Sequence, residues 1–109
     1  MSEISREKAL ILVDQAQRQQ FKGEFSEAIQ LYRRSIELFP TAEAYTYLGW
    51  TYGMMRRYDD AIDACETAIK VDPSFGNPYN DIGAYLIEME RHNDAIVWLE
   101  KALEVERYE

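Results

Sequence analysis

The sequence predicts an all-α fold, with three helical hairpins stacked side by side in one domain. Three observations carry this. Alanine followed by isoleucine recurs at Ala28-Ile29, Ala61-Ile62 and Ala95-Ile96, at separations of 33 and 34 residues. Short links recur in the same phase: Gly23-Glu24-Phe25, Arg56-Arg57-Tyr58 and Glu90-Arg91-His92, with Pro40 and Pro73 also 33 apart. A period of this length in a helical pattern marks a helix-turn-helix solenoid, because one hairpin cannot bury its apolar face alone. Finally, the middle copy keeps its apolar and small residues on single helical faces. Tyr45, Leu48, Gly49 and Tyr52 share one, and Ala61, Cys65 and Ala68 another.

The elements follow in order. A first helix is predicted over about Arg6 to Lys22, with Ser5 as N-cap. A second spans about Ser26 to Phe39, capped by Ser26 and stopped by Pro40. The third runs from about Ala42 to Met55 behind Thr41. The fourth covers about Asp59 to Val71 and opens on acidic residues that favour the positive end of the helix dipole. After the break at Asp72-Pro73-Ser74, the fifth begins at Phe75 or Gly76 and reaches Met89. Pro78 sits in its first turn, where a missing N–H costs nothing. The sixth covers about Asn93 to Arg107.

Composition narrows the function. The 109 residues suffice for one small domain, and 47% hydrophobic content with only three Pro and five Gly argues against disorder. With 20 acidic against 12 basic residues, a net charge of −8 opposes phosphate backbones and anionic lipid. Nucleic acid and membrane are therefore not expected as partners; a basic or apolar protein segment is. Cys65 is the only cysteine, which excludes an internal disulfide and a cysteine-rich metal site. No signal-like or membrane-length apolar run occurs, so a cytoplasmic protein is the expectation.

These residues resemble the tetratricopeptide repeat family, whose pattern is W-x2-L-G-x2-Y, A-x3-F, then P. The middle unit matches with Tyr45, Leu48, Gly49, Tyr52, Ala61, Cys65 and Pro73, Tyr replacing Trp and Cys replacing Phe. The third gives Tyr79, Ile82, Gly83, Leu86, Ala95 and Leu99, with Arg107 at the Pro position. The first fits in its second helix, through Ala28, Tyr32, Ser35 and Pro40. Its first helix offers the less apolar Leu12, Gln15, Ala16 and Gln19. Repeats at about 9–41, 42–75 and 76–109 follow. The resemblance implies a short right-handed superhelix whose first helices line a concave groove for a protein or peptide.

Catalysis is not expected, and no cofactor or metal is. His92 lies in the third link, at a position the family fills with a packing residue. Cys65 lies on a packed face with no histidine near it in the pattern. Asp59, Asp60 and Asp63 open a helix, which capping and solubility explain.

The face opposite the packing side presents Val13, Asp14, Gln17 and Phe21 in the first unit. The second gives Glu43, Thr46, Tyr47, Trp50 and Met54, and the third Asn77, Asn80, Asp81, Ala84 and Glu88. Tyr47, Trp50, Met54 and Phe21 form an aromatic and methionine surface suited to anchoring a partner. Trp50 either does this or fills the gap beside the next hairpin. Asn77, Asn80 and Asp81 either hydrogen-bond a peptide backbone or are solvated.

Family members that clamp a terminal carboxylate use Lys, Asn and Arg in this groove. The matching positions here are Val13, Gln17, Tyr47, Asn77 and Asp81, so that type of binding is not expected. The last helix carries Trp98, Val97 and Leu103 on more than one side. Self-association through it is the alternative to groove binding, alongside a role as accessory or chaperone subunit.

Overall fold

The computed structural model describes residues 2–107. The described residues form six α-helices and no strand: α1 Ser2–Phe21, α2 Phe25–Leu38, α3 Ala42–Met54, α4 Tyr58–Val71, α5 Asn77–Glu88 and α6 His92–Arg107. The predicted six helices are all present. Met1 and the last two residues of the third predicted repeat lie outside the described residues. Consecutive helices pair as hairpins, α1 with α2, α3 with α4 and α5 with α6. The hairpins stack through α2 on α3 and α4 on α5, and α3 also touches both α1 and α5.

Each hairpin turns by the same device. The backbone N–H groups of Gly23 and Glu24 donate to the carbonyls of Gln20 and Gln19, Arg56 and Arg57 to Gly53 and Tyr52, and Glu90 and Arg91 to Ile87 and Leu86. This paired pattern closes a helix C-terminus and requires one left-handed residue. Those residues are Gly23 at φ 84°, Arg56 at φ 62° and Glu90 at φ 60°. Glycine adopts this region freely; arginine and glutamate do so at a steric cost.

The turn also decides where the next helix starts, which corrects two capping expectations. α2 begins at Phe25, and Ala28 N–H donates to the Glu24 carbonyl at 3.0 Å, so Ser26 lies inside the helix and does not cap it. Ser5 is likewise internal, because α1 already begins at Ser2. Thr41 does cap α3, its Oγ1 accepting from Ala44 N–H at 3.1 Å.

Small residues set the spacing within hairpins. A Cβ on Gly49 would lie 3.0 Å from the Ala61 carbonyl oxygen and 3.1 Å from Cys65 Sγ. A Cβ on Gly83 would meet Leu99 at 2.6 Å. Ala28, Ala61, Cys65 and Ala68 are fully buried, as is Tyr32. Between hairpins the same device recurs at Gly53, where a Cβ would fall 2.6 Å from the Tyr85 ring. Tyr85 also lies beside Tyr58, the rings tilted with centroids 6.1 Å apart.

Polar contacts act both between and within the first two hairpins. Arg33 Nη2 donates to Tyr52 Oη at 2.6 Å, and the Arg57 guanidinium lies over the Tyr52 ring at 4.9 Å. Buried Ser35 donates to the Ala9 carbonyl at 2.8 Å. No helix of the described residues is long and apolar enough to cross a membrane.

Two stability outcomes follow. Gly49→Leu or Ala61→Arg should lower the far-UV melting temperature, because overpacking or burying a charge costs on the order of 1–5 kcal/mol. An unchanged melt would remove the close approach as a constraint. Glu90→Gly should instead raise stability by about 0.5–1 kcal/mol in a denaturant titration, since glycine relieves the left-handed strain.

Candidate functional site

The outward face of α3 and its neighbours holds a connected set of aromatic rings. Phe21 at the end of α1 meets Trp50 edge-on, centroids 6.3 Å apart. Trp50 lies 6.4 Å from Tyr47, and Tyr47 stacks on buried Tyr32 at 6.2 Å with 7° between planes. The offsets of three and four that keep 47, 50 and 54 on one helix face produce this row. Phe21 is 73% exposed, Trp50 43% and Met54 46%. Large aromatics in contact with one another yet open to solvent are the kind of surface that anchors partners.

The row is braced from behind. Tyr32 Oη donates to Gln20 Oε1 at 2.6 Å, and Gln20 Nε2 points at Met54 Sδ at 3.4 Å. Gln20 is fully buried. A buried amide that links the α2 core to an exposed methionine was not visible in the sequence, where glutamine gives no apolar signal.

Between α3 and α5 the face deepens into a cleft of about 240 Å³, lined by Glu43, Thr46, Tyr47, Trp50, Phe75, Asn77 and Asp81. Of the predicted groove residues, it brings together Glu43, Thr46, Tyr47, Trp50, Asn77 and Asp81. Phe21 and Met54 stand beside it along the face. Asn80 is exposed and does not line it. Thr46 is buried and donates to the Ala42 carbonyl at 2.7 Å. Phe75 was not expected here: it precedes the first turn of α5, so helical periodicity assigns it no face.

Asp81 is the unusual group in the cleft. Burial raises its carboxyl from the ordinary 3.8 to about 6. Among the described residues, the aspartates in ion pairs are Asp14, Asp60 and Asp94, each with an arginine on its own helix or turn. Asp81 has no such cation. Its neighbours include buried Cys65 on α4 and Tyr85 on α5, and burial pushes both of their pKa values up. Cys65 therefore stays a protonated thiol.

A larger cleft of about 500 Å³ lies elsewhere, over α4, α5 and α6, among Asp59, Ile62, Asp63, Glu66, Val97 and Trp98. Its carboxylates are exposed or, for Asp94, already bridged to Arg91 at 2.9 Å. Water screens such charges, so size alone does not make it the stronger site. Trp98 is half-buried there, 6.2 Å from Tyr79, with Lys101 Nζ 4.3 Å above its ring. Val97 and Leu103 remain 52% and 67% exposed. Exposed His92 begins α6 at the position that half-buried Tyr58 holds in α4.

This fold defines a helical-repeat scaffold. The tetratricopeptide repeat family model matches residues 42–75 and again 79–107, more than half of the described chain. The protein belongs to the tetratricopeptide repeat family, whose members are protein-interaction modules. It is 31% identical over 84 residues to small glutamine-rich tetratricopeptide repeat-containing protein 2 of Mycosarcoma maydis, covering 76% of this chain and 24% of that one. It is 26% identical over 85 residues to heat shock protein STI1 of Saccharomyces cerevisiae, covering 76% and 14%. The chain thus spans a quarter or less of these relatives. The crystal structure of MamA superposes with a TM-score of 0.87 at 30% identity, over 93% of this chain and 60% of that one. The first TPR of Spaghetti (RPAP3) bound to HSP90 peptide SRMEEVD gives 0.86 at 23% identity, over 95% and 83%; at that identity the likeness is one of fold.

Because folding raises the Asp81 pKa, the folded state holds this proton more tightly than the unfolded chain. Its contribution to stability is full below about pH 4 and is lost as pH rises through about 6. Asp81→Asn should be more stable than the parent at pH 7.5 by on the order of 1–2 kcal/mol, solvent at the cleft mouth screening the rest. The gain should vanish by about pH 4. Melts at pH 4, 6 and 7.5 measure it; an equal gain at all three would exclude charge burial as its cause.

Proposed function

We propose that the protein is a non-catalytic interaction module that receives a peptide or partner helix across the outer face of α1, α3 and α5. The single observation behind this is the row Phe21, Trp50 and Tyr47, in which Trp50 meets both other rings and Phe21 and Trp50 are well exposed. Folding alone gives no reason to leave such apolar area in water, whereas a partner that covers it gains on the order of 25 cal/mol per Å². Tyr47 and Trp50 are the main anchors, with Phe21 and Met54 extending the surface and Asn77 at the cleft mouth. Asn80 contributes from outside the cleft, to a backbone passing over α5.

The partner segment is basic or apolar. Glu43 and Asp81 oppose an acidic chain end such as that of the SRMEEVD peptide held by the Spaghetti domain. In this reading the groove takes a segment of a partner without clamping a terminal carboxylate. The unpaired Cys65 suits a reducing compartment such as the cytoplasm.

A second reading is favoured by one observation: Ile96, Val97 and Leu103 leave α6 with exposed apolar area on more than one side. In that reading the chain self-associates through α6 beside Trp98, or docks there as the accessory subunit of a larger complex.

Partner capture separates the two. Trp50→Ala should abolish capture in a pull-down while leaving the melting curve unchanged, and Leu103→Glu should leave capture intact. Capture that survives Trp50→Ala would sink the groove reading. A mass by light scattering that rises with concentration, and falls to the monomer value in Leu103→Glu, would establish self-association through α6.

A further inference from the structure

We propose that the cleft between α3 and α5 receives one cationic side chain, lysine or arginine, from the bound segment, with Asp81 meeting its charge and Tyr47, Trp50 and Phe75 flanking its stem. This rests on the reading of the outer face as a peptide-binding surface and names the chemistry that the surface selects.

Size is the first support. At about 240 Å³ the cleft is smaller than the roughly 300–1,000 Å³ of sites for drug-sized ligands. It suits a single long side chain better than a whole small molecule. Lining chemistry is the second. Three aromatic residues and two carboxylates, Glu43 and Asp81, converge on this volume, with Asn77 at the rim. Aromatic faces attract ammonium and guanidinium groups and pack against their methylenes, so walls and charge select the same ligand. An apolar side chain would use the walls but leave a desolvated carboxylate uncompensated.

The third support is the contrast among the acidic groups. Asp14, Asp60 and Asp94 are exposed and already bridged to Arg18, Arg57 and Arg91. Asp81 is more deeply placed and has no such partner among the described residues. Burial disfavours its charged form, as the raised pKa records. A group that costs stability and faces an open cleft is better explained by a ligand than by the core. The larger cleft over α4 to α6 lacks this contrast, because its carboxylates are exposed or bridged.

The test uses the full chain and four probes: the Nα-acetyl N-methylamides of lysine, arginine, norleucine and glutamate. Binding is followed by NMR at the indole N–H of Trp50, with Trp98 as internal control. The lysine and arginine probes should shift the Trp50 signal and bind at least about tenfold tighter than norleucine, and the glutamate probe weakest. Asp81→Asn should erase the tenfold preference and leave norleucine binding unchanged; its melt at pH 7.5 verifies that it is folded. Equal binding of lysine and norleucine, or a preference that survives Asp81→Asn, would overturn the cation site even if Trp50→Ala still abolishes partner capture. An Asp81-dependent preference would support the site even if Trp50→Ala leaves capture intact, in which case only the wider groove reading fails.

Discussion

Close approach of helix backbones inside each hairpin is the constraint on which the rest depends. At Gly49 there is no room for one methyl group without moving the Ala61 carbonyl, and at Gly83 none without moving Leu99. Interiors pack at the density of organic crystals, so such crossings accept little change in volume. The close crossing lets Leu48, Tyr52, Ala61 and Cys65 bury completely or nearly so from thin helices. It also fixes the angle at which α3 presents its opposite side. Gly53 repeats the device between hairpins, where it admits the Tyr85 ring and sets the distance from α3 to α5. The width of the cleft above that contact is a consequence of the same spacing.

α3 is consequently a helix with two occupied faces. Leu48, Gly49 and Tyr52 face the stack, while Tyr47 and Trp50 face the aromatic row. Its apolar residues run nearly all round, unlike α2 and α4, which are more clearly one-sided. A helix apolar on both sides is normally buried on both sides. Here the second side is only partly covered, by Phe21, Phe75 and the neighbouring turns. That imbalance is the physical basis of the binding surface proposed for the outer face.

Charge acts in two registers. The overall excess of acid is spread over solvated helix faces, where i,i+3 and i,i+4 bridges to arginine contribute little more than solubility. Asp81 differs because burial strips water from it. One carboxylate in a confined site can matter more for recognition than many exposed ones, since screening falls as water is excluded.

The sequence by itself determined the hairpin period, the six helices, the small residues at the crossings and the family. These are local or periodic properties: offsets of three, four and about 34 survive without knowledge of neighbours. Its offsets put Tyr47 and Trp50 on one face of α3, and in the structure these two line the cleft together with Asn77 and Asp81. It did not place Phe75 in the cleft, Gln20 in the core or Asn80 outside the cleft, and it misassigned Ser5 and Ser26 as caps. Those outcomes depend on the left-handed turns and on how far one hairpin rotates against the next, which no spacing within a single helix encodes. Only the tertiary structure decided that Asp81 is desolvated and, among the described residues, without a cation, because its surroundings come from α3, the Phe75 segment and α4 as well as from its own helix.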